Sequence, residues 1–277
     1  MGYFLALLLF TLLTSCGEDP SFPKQFSQQQ ISKGEYIYRR QDEYLFRPPP
    51  PTPQPLPIYE WKKELSGKIP AVTKHHFRCH GKGNNPFKQI EQNGETRYVS
   101  DCNGPSDHSL PIKDGQEFVY PILIDLLNYI QLKTENKVII TSGHRCPDHH
   151  IYVDNSPAQS YSKHMIGAEV DFYVQGLEDK PEYIIDLIQK YYLDTLVYNG
   201  QKDYQQFLRW EKGNSDVITS PWYNKEIYVK IYRKNEGRNL DNLHTHPYVS
   251  IQVRYNKDNG EKVTYSWDKA FRGFYRH

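Results

Sequence analysis

Sulfur and net charge are both scarce in this chain, and each scarcity narrows what it can be. Four cysteines occur among 277 residues, and no two of them stand at the spacing of a zinc ribbon. The 34 lysines and arginines are balanced by 33 aspartates and glutamates. Nothing in that balance points to nucleic acid as a partner. The apolar run from Tyr3 to Leu13 is too short to span a bilayer, though about long enough for a signal-peptide core. No internal repeat is evident.

Three segments follow from composition. Residues 1–16 read as an export signal ending in Leu13-Thr14-Ser15-Cys16, with Gly17 next. That tetrapeptide resembles the lipobox of bacterial lipoproteins, although no Lys or Arg precedes Cys16. The resemblance implies lipidation at Cys16, a membrane anchor there, and an exported protein facing the periplasm, with Gly17 favouring the outer membrane. Residues 17–57 are polar and end in the proline-rich run Arg47 to Pro57, a polyproline II spacer. Residues 58–277 are globular in composition, rich in tyrosine, and long enough to bury one sizeable core.

With Cys16 set aside, Cys79, Cys102 and Cys146 remain. A Cys79–Cys102 disulfide would add roughly 3 kcal/mol on the chain-entropy model, and Cys146 could replace either partner. His75, His76, His80 and His108 lie near these cysteines without ligand spacing, and they read as loop residues. His149 and His150 receive no role.

Apolar steps of three and four at Val119, Ile122, Leu123, Leu126, Leu127 and Ile130 predict a helix over 116–133. A second helix is expected over 181–194, with Pro181 near its first position. Strands are expected over 137–141, 169–174, 226–233, 248–255 and 262–267. Alternation within 169–174 sets Val170 and Phe172 against Glu169 and Asp171 on opposite faces. The pattern predicts an α+β fold, an antiparallel sheet flanked by helices.

Chemistry concentrates in Ser162-Lys-His-Met-Ile-Gly-Ala-Glu-Val-Asp171 and the remote His244-Thr-His246. Gly167 permits a sharp turn that would bring His164 towards Asp171. Two imidazoles and one carboxylate leave a fourth zinc position open for catalysis. These residues resemble the LAS metallopeptidases, in particular the zinc D-alanyl-D-alanine carboxypeptidases and penicillin-insensitive murein endopeptidases. Ser162, His164, Gly167 and Asp171 match that group's first motif, and His244 with His246 match its later His-x-His. Ser142-Gly143-His144-Arg145 is similar to its Ser-Gly-Tyr-Arg, with His144 in the tyrosine position. The match spans about residues 116–255 in motif order.

The resemblance implies a hedgehog/DD-peptidase-like fold, with Zn2+ held by His164, Asp171 and His246. His244 would move the proton, and Arg145 would hold a substrate carboxylate with its planar fork. Glu169, on the Asp171 face, is a further acid at the site. The implied activity is hydrolysis of peptidoglycan stem peptides or cross-links. Leu243 occupies a position where some members carry a glutamate base. The alternative is therefore a zinc-containing lipoprotein that binds cell wall without cutting it.

Overall fold

Tyr120 precedes a proline, which disfavours helical backbone at that residue, and its φ and ψ are −58° and 120°. The first long helix, α1 (Pro121–Thr134), therefore starts at Pro121 and not at 116. Residues 116–117 instead pair with 112–113 as a small hairpin. Helix α1 ends at Glu135, whose φ of 52° is left-handed. Its apolar positions Ile122, Leu123, Leu126, Leu127 and Ile130 are all buried. Polar residues within α1 serve as ties. Asn128 accepts from the Val72 amide and donates to the Val72 carbonyl, both at 2.8 Å. Gln131 Oε1 accepts from the Val138 amide at 3.0 Å.

The computed structural model of the protein describes residues 65–92, 94–154, 162–211, 213, 215–234, 236 and 246–277. They fall in a unit that spans Ile58–His277. Cys16, the expected lipidation position, the proline-rich run and His244 lie outside the described residues. No described helix is long and apolar enough to cross a membrane.

One antiparallel sheet of six strands organises the unit. Its members are β1 (Val138–Ser142), β2 (Glu169–Val174), β3 (Leu208–Arg209), β4 (Trp222–Tyr223), β5 (Ile227–Tyr232) and β6 (Tyr248–Val253). They lie in the order β1-β2-β6-β5-β4-β3. Helix α2 (Pro147–Asp154) follows β1, and α3 (Pro181–Asp194) follows β2. The chain is mixed α and β with an antiparallel sheet: α1, β1, α2, β2 and α3 alternate, and β3 to β6 then follow one another with no described helix between them.

Val170 and Phe172 of β2, Val229 and Ile231 of β5, and Val249 and Ile251 of β6 share the core with α1 and with Ile184, Ile185 and Ile188 of α3. Truncating Phe172 to Ala would cost about 3–5 kcal/mol. Tyr191, Tyr192, Tyr198 and Tyr204 are core residues too, packed edge-on or tilted with ring centroids 4.7–5.9 Å apart.

Because strand side chains alternate, the opposite face carries the polar residues. Register aligns Ser142, Asp171, Ser250 and Lys230 in one row across β1, β2, β6 and β5. Glu169 stands opposite Gln252. The expected strand over 262–267 is only Glu261–Lys262. Ser266 accepts from the Lys269 amide at 3.4 Å and caps a short helix, Trp267–Arg272, in its place.

Candidate metal sites

Three groups of metal-ligating side chains occur among the described residues, and because Asp101, Cys102 and His149 share Cys102 with a second group they make two separate clusters. The first joins His164, Glu169 and Asp171. Ser162 begins the turn by accepting from the His164 amide at 3.3 Å, and Gly167 closes it with φ at 70°. A Cβ at Gly167 would also press on the Phe118 carbonyl, at 2.9 Å. Asp171 is delivered by β2, so a turn and a strand meet at one point. His164 Nε2 lies 3.2 Å from Asp171 Oδ2 and 3.8 Å from Glu169 Oε2.

The ring of His164 is fixed from behind. Its Nδ1 donates to the Gly143 carbonyl at 2.7 Å, which leaves Nε2 facing the two carboxylates. Glu169 is buried and held: Gln252 Nε2 donates to it at 2.7 Å, with the Ser162 and Ser250 hydroxyls each at 3.3 Å. Asp171 Oδ1 is buried and has no hydrogen-bond partner among the described residues. Arg145 is anchored through Nε to Ser142 Oγ at 3.0 Å, and its Nη2 lies 3.8 Å from Asp171 Oδ2. Its side chain is only 12% exposed, so it is no surface arginine.

Burial and Arg145 work against a charged His164. The neighbouring Glu169 and Asp171 outweigh them, and the pKa is raised. Burial likewise penalises the Asp171 carboxylate, but His164 and Arg145 hold its pKa below the ordinary value. Of the expected ligands, the fold brings His164 and Asp171 together. His246 is exposed just before β6, with its ring 6.1 Å from that of Tyr173. It is not within the 4.8 Å grouping of the other donors.

The second cluster joins Cys79, Cys102, His108 and Cys146, all buried. These four could hold a metal ion, and they correct two expectations. The Cys79–Cys102 disulfide is not formed: both are free thiols with their sulfurs 3.7 Å apart, far beyond the roughly 2.05 Å of an S–S bond. Cys146 supplies the third sulfur. His108 is a member of the cluster and not a loop bystander, whereas His75, His76 and His80 are exposed. His149 is not idle either, since its Nδ1 meets Asp101 Oδ1 at 2.7 Å.

Electrostatics in this cluster reflect crowded sulfur. Hydrogen bonding from Cys102 and Cys146 pulls the Cys79 thiol far down, while Cys102 and then Cys79 push the Cys146 thiol far up. Burial opposes charge on His108, yet the Cys102 and Cys79 sulfurs and the Ser109 carbonyl raise its pKa to about 10. Between the two clusters lies His144, edge-on to His108 with centroids 5.6 Å apart. Burial lowers its pKa to about 3, so it is neutral. Comparison with known proteins adds nothing to this geometry: no protein family, curated protein or solved structure matches the chain.

Proposed function

We propose that this chain is an exported, lipid-anchored zinc peptidase that cuts peptide bonds in peptidoglycan stems or cross-links, on a hedgehog/DD-peptidase-like fold. One observation carries the reading. His164 Nε2 and Asp171 Oδ2 stand 3.2 Å apart, close to the edge of about 3.3 Å between two tetrahedral donors at zinc's roughly 2.0–2.1 Å bond lengths. The His164 back-bond to the Gly143 carbonyl is the outer support that metal-bound histidines normally have. The unpartnered Asp171 Oδ1 leaves further capacity for a cation. This donor set fits zinc.

His164 and Asp171 would hold the ion; His246, exposed before β6 and outside their group, would have to swing in to serve as the third ligand that the resemblance implies. Zinc bound there supplies Lewis-acid polarisation of a carbonyl and a nucleophile near neutral pH. The chain's own groups do the rest. Glu169, fixed by Gln252, Ser162 and Ser250, orients the ligand pair. Arg145, braced on Ser142, offers a charged fork beside the ligands for a peptide carboxylate or carbonyl. His244 takes and returns the proton.

The test is release of D-alanine or cleaved stem peptides from purified sacculi by the full-length protein. Activity that disappears in His244→Ala with zinc still bound supports the reading. Fully metallated wild-type protein that releases no product overturns it and leaves a zinc-containing wall binder.

A further inference from the structure

We infer that Cys79, Cys102, His108 and Cys146 form a closed structural zinc centre, separate from the peptidase cluster, that ties the loop-rich segment 71–110 to the loop bearing Arg145. The inference does not depend on the peptidase reading.

Geometry argues first. Two sulfurs on a tetrahedral ion with bonds of about 2.3 Å lie about 3.8 Å apart, and Cys79 Sγ and Cys102 Sγ are separated by 3.7 Å. The four donor atoms all lie within 4.8 Å of one another, which leaves room for one ion. Three thiolates with one imidazole are a known structural zinc set, while iron–sulfur clusters ordinarily take four thiolates.

The imidazole is aimed for the purpose. His108 Nδ1 donates to the Ser109 carbonyl at 3.0 Å, so in the neutral ring Nε2 carries the lone pair. That Nε2 is buried and faces the Cys79 and Cys102 sulfurs, with no nitrogen or oxygen partner among the described residues. A cation between the imidazole and the three sulfurs would engage all four donors at once.

Outer contacts match a thiolate centre. The Gly104 amide donates to Cys102 Sγ at 3.3 Å and the His149 amide to Cys146 Sγ at 3.4 Å. Such donors offset the surplus negative charge of three thiolates and one Zn2+. Asp101 Oδ1 accepts from the Cys102 amide at 2.8 Å while facing His149, so one carboxylate braces two of the ligand-bearing loops. The chain approaches closely here: a Cβ at Gly81 would collide with Cys102 Sγ, and Gly104 has φ at 63° and would press on the Cys79 carbonyl, at 2.9 Å. Phe274, from the C-terminal segment, closes the cluster. No position is open to substrate, so the role is structural.

The centre reaches the other cluster through a short chain of contacts. Phe77, two residues before Cys79, accepts from the His144 amide at 2.6 Å. Gly143 holds His164, and Arg145 directly precedes Cys146.

Cobalt exchanged into the reduced full-length protein tests the inference. One equivalent is expected to give the thiolate-to-cobalt charge-transfer band and the strong visible bands of tetrahedral cobalt, both bleached by zinc. His164→Ala and Asp171→Ala should leave these bands unchanged, which separates this centre from the peptidase site. Cys146→Ser should weaken the charge-transfer band. Should that variant fail to fold, the wild-type titration decides alone. A reduced wild-type protein without the band, or a Cys79–Cys102 disulfide in the protein as purified, overturns the inference.

Discussion

The two clusters are built from opposite materials. Cys79, Cys102, His108 and Cys146 give three soft sulfurs and one imidazole, all buried and capped by Phe274. His164, Glu169 and Asp171 give one imidazole and two carboxylates on the polar face of a sheet, with a guanidinium beside them. The first sits where regular structure is sparse, among short hairpins and 3-10 turns, and an ion there would add to the few core anchors of the segment, Val72, Phe77 and Leu110. The second rests on β2 and β6, whose other face is already packed, so it can keep polar groups at a site without holding the fold together. A closed set of thiols suits structure. An open set of nitrogen and oxygen donors suits chemistry.

The sharpest way to break that division is to remove each cluster's ion or ligands and ask what fails. Cys102→Ala should lower stability by at least about 5 kcal/mol, or roughly 10–20 °C in Tm for a chain of this size, in zinc-replete thermal melts. Asp171→Asn, nearly isosteric, should lower peptide hydrolysis by more than about 100-fold, above the usual range for a group outside the ligand set, with a much smaller Tm change. Glu169→Gln should fall within that range, about 10–100-fold in kcat/KM. If Asp171→Asn melts early and Cys102→Ala does not, the roles are reversed.

Glu226 lies outside both clusters and serves as a control for burial without an ion. Its Oε2 accepts from the Tyr198 hydroxyl at 2.7 Å, but burial dominates and raises the carboxyl from 4.5 to about 7. Between those values the folded protein keeps a proton that the unfolded chain has released, so this group's contribution falls as pH rises through the window. Glu226→Gln should therefore be neutral near pH 4 and stabilising by roughly 3 kcal/mol at pH 8, read from denaturant unfolding at the two pH values. The smallest effect is expected at Arg78, whose guanidinium grips Glu117 through two bonds of 2.9 and 2.7 Å. Both side chains are about a quarter exposed. Arg78→Ala should cost about 1–2 kcal/mol in the same unfolding assay.

Periodicity made the regular half of the molecule readable. Helix α3 and strand β2 occupy the residues expected, because apolar steps and alternation report directly on a buried face. Caps and proline moved the boundaries elsewhere: Pro121 delays α1, and Ser266 turns an alternating run into a short helix. Helix α2 escaped notice because it has little amphipathic pattern, with His149, His150, Tyr152 and Val153 all buried. His164 and Asp171 could be paired in advance because one turn joins them. The cysteine cluster could not, since Cys79 and Cys102 are 23 residues apart and the other two donors arrive from a loop and the start of a helix. The available signal was indirect: three cysteines once Cys16 is set aside, an odd number, with glycines at 81, 83 and 104 in the same stretch.

Metal content per polypeptide tests the central claim of two ions with two duties most directly. Full-length wild-type protein should carry two equivalents of zinc by elemental analysis, and Asp171→Ala should carry one, still bound by thiolates. Wild-type protein with one equivalent or none, or an Asp171→Ala variant with wild-type content, would contradict the account.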